Sequence, residues 1–481
     1  MRIKLPNEFK SATVYVLANL FSRGLAIITV PIFTRIMTTE QIGIVTLFTS
    51  WFALISAFST LSLTSGGFSL AMKEYKGERY KYVSSVLFLT TIIAFLLAIV
   101  YFINSDFWEK ILGLSKPLIG LMIVGLVLAP ARDFWLAKER YEYKYKLAAA
   151  VTICSALIAS VLSISVVIWA NKNGVNNTAD FRLFSTYAII YGIDGTIFLY
   201  LLLKGKCLVN KEFWKFSLKL SLPLVGYSVS TQILNVSDRM MIDALIGKSE
   251  VGIYGTLYTV SSLSIMIWTT INASFVPYLF ENIDNRTERI KEIANILLFV
   301  YSGVAVMITF FSPEIVLILA TDEYLEAKAI MPPIAAGVFM ISVSNLYSNI
   351  LVYYKKTTYI MYASIIAALL NVILNLVFIS KFGYMAAAYT TLFSYIVLAA
   401  LEYLWAQSFD RKMNKEKDDV YDNKAFLFLS VLTIVLCMCA LPLYRFYAIR
   451  YIAAIAVGSV YLLIIYKNKG KITEIKKRNI K

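Results

Sequence analysis

Fourteen apolar segments of membrane-spanning length run through the 481 residues, near 12–34, 42–66, 83–103, 117–136, 147–170, 183–204, 217–246, 251–276, 293–312, 330–352, 359–380, 383–406, 425–444 and 449–466. A helix needs about 20 apolar residues to cross the hydrocarbon layer of a bilayer. The runs are continuous and not alternating, so they read as helices and not as strands of a barrel. At 59% hydrophobic, 16% charged and mean hydropathy +0.69, the chain has too little polar surface for a soluble domain. The expected fold class is an all-α polytopic membrane protein with 14 transmembrane helices.

An internal duplication narrows this further. Thr39-Glu40-Gln41-Ile42-Gly43-Ile44-Val45 aligns without gaps on Lys248-Ser249-Glu250-Val251-Gly252-Ile253-Tyr254, each residue of the second copy lying 209 positions after its counterpart. Both copies follow an odd-numbered span, so the two halves cross the membrane in the same direction. That is the signature of parallel repeats related by an axis along the membrane normal, with substrate between them. The expectation is two parallel six-helix repeats around a central cleft, plus two C-terminal helices. The boundaries are 1–204 for the N-terminal half, 205–216 for a basic cytoplasmic linker, 217–406 for the C-terminal half, 407–424 for a cytoplasmic loop, and 425–481 for helices 13 and 14 with a basic tail.

The net charge of +16 raises the question of nucleic acid, and the placement of the 46 Lys and Arg residues answers it. By loop parity, 34 fall on the side of the N-terminus and 10 on the opposite side, while Arg23 and Arg239 lie inside spans. This is the positive-inside asymmetry of a plasma-membrane protein with both termini cytoplasmic, and it accounts for the charge without a nucleic-acid partner. Met1-Arg2-Ile3-Lys4-Leu5-Pro6 leads into an apolar run far longer than a signal-peptide core, so the segment is expected to be retained. Four cysteines in or beside spans and the absence of histidine argue against disulfides and a Cys/His metal site. Outward loops of about five to fifteen residues leave no extracytoplasmic domain for catalysis, which counts against an enzyme.

Polar residues inside spans carry the functional signal. Span seven holds Ser228, Thr231, Gln232, Asn235, Asp238 and Arg239 along one face. In hydrocarbon such a face must look onto protein or a watery cavity. Span one repeats the pattern with Tyr15, Asn19, Ser22 and Arg23, and span eight with Tyr254, Tyr258, Ser261, Ser262, Thr269 and Asn272. A shared aqueous cleft explains three stripes better than helix-to-helix hydrogen bonding does. Pro31 and Pro223 stand where spans one and seven would bend, with Pro130 and Pro332-Pro333 in spans four and ten.

Arg23 lies about 18 Å into span one at the helical rise, near the midplane, with no acid within a turn. A guanidinium there is suited to bidentate contact with phosphate, the structural alternative being an ion pair with Asp194 or Asp238. Arg35 at the outer end of span one is a further candidate, although snorkelling alone would place it there. Arg239 is one turn from Asp243 and can pair with it. Asp238, pointing away from that pair, is a candidate either for coupling to H⁺ or Na⁺ or for pairing with a cleft arginine, and Asp194, preceded by Tyr187 and Tyr191, is a further candidate for ion coupling. Glu402 and Arg132-Asp133, near inner ends of spans, read as interfacial. Tyr141, Tyr143 and Tyr145 between basic residues read as interfacial or as binding membrane lipid head groups.

Three stretches carry a family resemblance. Leu222-Pro223-Leu224, Asn235-Val236-Ser237-Asp238-Arg239 and Gly247 to Tyr254 resemble the corresponding part of Wzx-type polysaccharide flippases. Asn371 to Ala388 is similar to another hallmark of that family, and Ser22-Arg23-Gly24-Leu25 resembles the first helix of the related lipid II flippases. The resemblance covers nearly the whole chain and implies the multidrug/oligosaccharidyl-lipid/polysaccharide exporter fold. It further implies a flippase for undecaprenyl-pyrophosphate-linked oligosaccharide units in O-antigen (lipopolysaccharide) or capsule synthesis in a bacterial inner membrane. No cofactor is implied; the partners are the lipid-linked oligosaccharide, membrane lipids and a polysaccharide polymerase. Arg23, Arg35 and Arg239 would contact the pyrophosphate. Gln232 stands where the second half would match Arg23, so a symmetric arginine pair is not expected. The alternatives are a multidrug cation antiporter of the same superfamily and a membrane glycan polymerase.

Overall fold

The computed structural model describes residues 7–65, 67–262, 264–285, 288–413 and 418–467. Among them all regular structure is helical. The α-helices are α1 (Asn7–Ile36), α2 (Thr39–Ser59), α3 (Phe68–Glu74), α4 (Arg79–Ile103), α5 (Ser105–Leu112), α6 (Lys116–Tyr141), α7 (Tyr145–Lys172), α8 (Thr178–Gly205), α9 (Lys211–Leu245), α10 (Lys248–Ser261), α11 (Ser264–Asn282), α12 (Glu288–Phe310), α13 (Ser312–Leu319), α14 (Met331–Tyr353), α15 (Thr357–Phe382), α16 (Ala386–Met413), α17 (Asn423–Leu443) and α18 (Tyr447–Lys467).

Thirteen helical stretches among the described residues are long and apolar enough to cross a membrane, with α10 and α11 together forming one of them. The fourteenth expected span corresponds to α9, which is long at 35 residues but not among the thirteen. Its polar stripe lowers its hydropathy below that of the thirteen. Large apolar side chains such as Phe102, Leu203, Leu427, Ile452 and Leu462 are left exposed, as a lipid-facing surface requires.

Local signals set the helix ends. Thr38 caps α2 by accepting a hydrogen bond from the Gln41 amide, and Asn210 caps α9 by accepting from the Glu212 and Phe213 amides. The Asn210 cap starts α9 at Lys211, so helix occupies the second part of the expected 205–216 linker. Gly113 ends α5 in the left-handed conformation, φ 63°. Pro31 and Pro223 lie inside continuous α1 and α9, and Pro332-Pro333 occupy the first turn of α14, where their missing amides cost nothing.

The contacts divide the chain into two compact units, Met1–Thr256 with Val372–Tyr384, and Leu257–Asn371 with Met385–Lys481. In the first, Phe68, Tyr82, Phe134, Trp135 and Phe213 build an aromatic core where α3, α4, α6 and α9 converge. Beside it, Glu142 accepts from Lys144 at 2.7 Å, Lys138 at 3.0 Å and Arg79 at 3.2 Å, while the Lys138 ammonium lies 4.3 Å from the centre of the Tyr80 ring. Burial works to raise the Glu142 carboxyl, but the hydrogen bonds and charges of Lys144 and Lys138 outweigh it and hold the group down at about 2.

In the second unit, α14 is the central helix, buried over most of its length against α12, α16 and α17. Small residues permit this: Ala335, Ala336 and Gly337 on α14 and Ala386, Ala387 and Ala388 on α16 are buried. Glu402 of α16 is buried here, 1% exposed, and accepts from Ser344 at 2.5 Å and from Ser348. The expectation that it is interfacial is therefore corrected, because α14 covers the inner turns of α16.

A buried acid–arginine–tyrosine cluster and a polar stripe as the candidate functional site

The stripe on α9 is partly open. Ser228, Thr231 and Gln232 are half-buried and Asn235 is exposed. Thr231 donates to the carbonyls of Tyr227 and Ser228, both at 2.9 Å, so its hydroxyl proton is used within its own helix. One turn further on, the stripe runs into a closed cluster. Asp238, 1% exposed, accepts from the Tyr254 hydroxyl at 2.6 Å, from the Arg239 amide at 2.8 Å and from the Arg239 guanidinium at 3.2 Å. The guanidinium also donates to the Asn235 carbonyl.

This revises the sequence reading of the pair. Arg239 was expected to bond Asp243, one turn on, with Asp238 facing elsewhere. The long arginine side chain instead folds back toward the preceding turn and meets Asp238 beside it. Asp243 lies near the turn after α5, where a side chain at Gly113 would come within 2.2 Å of its carboxylate. Tyr254 and Tyr258, expected to line an open cleft, are both buried. Tyr254 is spent on Asp238, and in the second unit the Tyr258 and Tyr395 hydroxyls are 3.3 Å apart.

On α1, Asn19 is exposed and the Ser22 hydroxyl donates to the Ala18 carbonyl at 3.1 Å. Arg23 is on this helix, but its side chain lies outside the described residues. Arg35 is exposed and donates to the Pro31 carbonyl at 2.7 Å in the last turn of α1, the geometry that favours a cation near a helix C-terminus.

Asp194 is 1% exposed and meets the Arg132 Nε at 2.5 Å; the same guanidinium donates to the Ile190 carbonyl at 3.2 Å. Arg132 was read as interfacial and is instead the partner of this intramembrane acid. Tyr191 packs on Tyr187 with ring centres 4.9 Å apart, and its hydroxyl fits against Gly125, where any side chain would collide with it. Sequence reasoning missed the pairing of Arg132 with Asp194 because 62 residues separate them. The available signal was its place after Pro130 within a helix that continues to Tyr141.

Residues 9–283 match the polysaccharide biosynthesis protein family. The chain belongs to that family. Residues 223–377 also match the MatE family. Among solved structures, the lipid II flippase MurJ in an inward closed conformation superposes with a TM-score of 0.68, at 16% identity, over 94% of this chain and 98% of that one. An inward-facing multidrug resistance MATE family transporter superposes with a TM-score of 0.59, at 16% identity, over 82% and 96%. An uncharacterized membrane protein of Methanocaldococcus jannaschii is 25% identical over 80% of this chain and 94% of its own length. The fold is thus that shared by the lipid II flippase and the MATE family transporter, and the chain is a multi-pass membrane protein.

Proposed function

We propose that the protein is a flippase that carries undecaprenyl-pyrophosphate-linked oligosaccharide units from the cytoplasmic to the outer leaflet of a bacterial plasma membrane, for O-antigen or capsule assembly. The observation that carries this reading is membership of the polysaccharide biosynthesis protein family over residues 9–283, the stretch that contains the α1 and α9 stripes. Sugar hydroxyls and a diphosphate cannot cross hydrocarbon unaided, because each unsatisfied polar group costs several kcal/mol there. Asn19, Ser22, Ser228, Thr231, Gln232 and Asn235 offer hydrogen bonds that replace water, while the lipid tail stays in the bilayer.

Arg23 is assigned to the pyrophosphate first and Arg35 second. Arg239 ranks third, since its charge is already opposed by Asp238. The halves then rock between inward-open and outward-open states. With both termini cytoplasmic, an inside-negative potential favours outward movement of the anion by about 2.3 kcal/mol per charge per 100 mV. Exchange of H⁺ or Na⁺ at Asp194 or Asp238 would reset the empty carrier, and a membrane polymerase would take the delivered unit.

The second reading, a multidrug cation antiporter, is favoured by the MatE match over residues 223–377. One experiment separates the two. The chain is expressed in a bacterium that lacks its own unit flippase and carries matching glycan synthesis genes, with Arg23→Ala alongside at equal membrane abundance. Return of surface polysaccharide with wild type and its loss in Arg23→Ala is the expected outcome. No return, together with new resistance to cationic drugs, assigns the antiporter.

A further inference from the structure

At the end of the first unit that the charge bias sets inside, one guanidinium is held in place with its donors unspent. Arg79, Lys138 and Lys144 converge there on Glu142, and Arg132 is taken by Asp194. Arg140, in the last turn of α6, is exposed and forms neither an ion pair nor a hydrogen bond among the described residues. Its guanidinium instead lies over the Tyr15 ring of α1, 5.6 Å from the ring centre. Asp133, two turns earlier on α6, is near enough for the two charges to act on each other, but it makes no ion pair with Arg140.

The stack is anchored through the tyrosine. Tyr15 is half-buried and packs against the aromatic core where α3, α4, α6 and α9 converge, and its hydroxyl donates to the Lys144 carbonyl at 3.2 Å. A ring fixed at two points restrains the guanidinium lying on it. Such a contact engages the face of the guanidinium and leaves the N–H groups at its edge, in the fork that fits two phosphate oxygens. The site also stands at the foot of the α1 stripe. Asn19, which is exposed, follows Tyr15 by one turn, and position 23 follows by two, about 12 Å along the axis at the helical rise. An anion leaving Arg140 would therefore pass Asn19 before reaching Arg23 on the same helix.

We infer that Arg140, held on Tyr15, is a loading subsite for the diphosphate of an isoprenyl-linked substrate at the cytoplasmic face, separate from Arg23 and occupied before it. The inference rests on the transport reading above and on the charge bias that sets this end of α6 inside. Arg140 is the residue that touches the anion. Tyr15 acts through it, as a positioning residue.

The test removes the deeper arginine first. Full-length Arg23→Ala protein in detergent is titrated by calorimetry with farnesyl diphosphate, a soluble isoprenyl diphosphate. Binding is expected, and adding Arg140→Gln should weaken it about tenfold or more, through loss of charge-assisted hydrogen bonds. Arg140→Lys should recover only part of that loss, because an ammonium keeps the charge without the fork. Tyr15→Leu should also weaken binding, whereas Tyr15→Phe, which keeps the ring, should bind nearly as its parent does. No binding by Arg23→Ala, or equal binding with and without Arg140→Gln, overturns the inference. Phosphatidylglycerol added to the micelles tests the other source of phosphate. It should leave the probe bound, and displacement of the probe makes Arg140 a general head-group contact and overturns the loading role.

Delivery of surface polysaccharide is read separately, with Arg23 intact. Arg140→Gln should need a higher level of lipid-linked unit for half-maximal delivery and still reach the wild-type maximum. A lower maximum at an unchanged half-maximal level makes Arg140 structural and overturns the inference. If the probe binds through Arg140 while wild type restores no polysaccharide, the oligosaccharide reading fails and the diphosphate subsite stands.

Discussion

Two buried carboxylates, one in each compact unit, are held in opposite ways. Asp194 faces the Arg132 guanidinium, whereas Glu402, buried to the same degree, has the Ser344 and Ser348 hydroxyls as its contacts among the described residues. The difference teaches what each site tolerates. A buried ion pair depends on both members, because removing one strands the other's charge in a low-dielectric interior. A carboxyl held by neutral donors has no opposite charge to strand, so an amide of the same shape can take its place.

Replacing one member of the pair is the sharpest way to break this comparison. Arg132→Met should destabilise the protein by about 3–5 kcal/mol, read as a fall in melting temperature of the detergent-solubilised protein, since it leaves Asp194 uncompensated. Asp194→Asn should cost less, about 1–3 kcal/mol, because the remaining Arg132 side chain is 20% exposed and reaches solvent or lipid head groups. Combining Asp194→Asn with Arg132→Met should recover part of the loss, and strict additivity of the two melting shifts would deny the coupling. Glu402→Gln should change stability by no more than about 1 kcal/mol, since the amide oxygen still accepts from Ser344. A loss as large as that of Arg132→Met would reveal an ionic role for Glu402 and erase the contrast.

The smallest expected effect sharpens the comparison from outside the membrane. Glu142 is held at about 2, below its ordinary 4.5, by Lys144 and Lys138 against the opposing effect of burial. A depressed carboxyl contributes stability that is fully present above the unfolded value and is lost as pH falls through the folded one. The melting difference between wild type and Glu142→Gln should therefore hold above about pH 4.5 and shrink as pH approaches about 2. A difference independent of pH would mean that the carboxylate's charge does not support the Arg79–Lys138–Lys144 cluster.

Much of this architecture is legible in the chain. The apolar runs coincide with helices because continuous hydrophobicity of that length has one stable solution in a bilayer. The α9 stripe was recognisable from spacing alone, even though it keeps that helix below the apolarity of its neighbours. Partners were not legible. One-turn spacing favours pairing Arg239 with Asp243, yet the flexible guanidinium bends back to reach the neighbouring Asp238 carboxylate. The stripe along span eight points Tyr254 and Tyr258 toward a cleft, while the structure buries them with their hydroxyls against Asp238 and Tyr395.

By itself the sequence determined that this protein spans the membrane many times, that it carries an internal duplication, and which helices carry polar groups, since periodicity and composition are local properties of a chain in a bilayer. Only the tertiary structure decided which charges meet and that the duplicated blocks pack on each other through Gly43 and Gly252. Those pairings join residues 62 and 209 positions apart, and no local pattern specifies a contact that packing alone brings within reach.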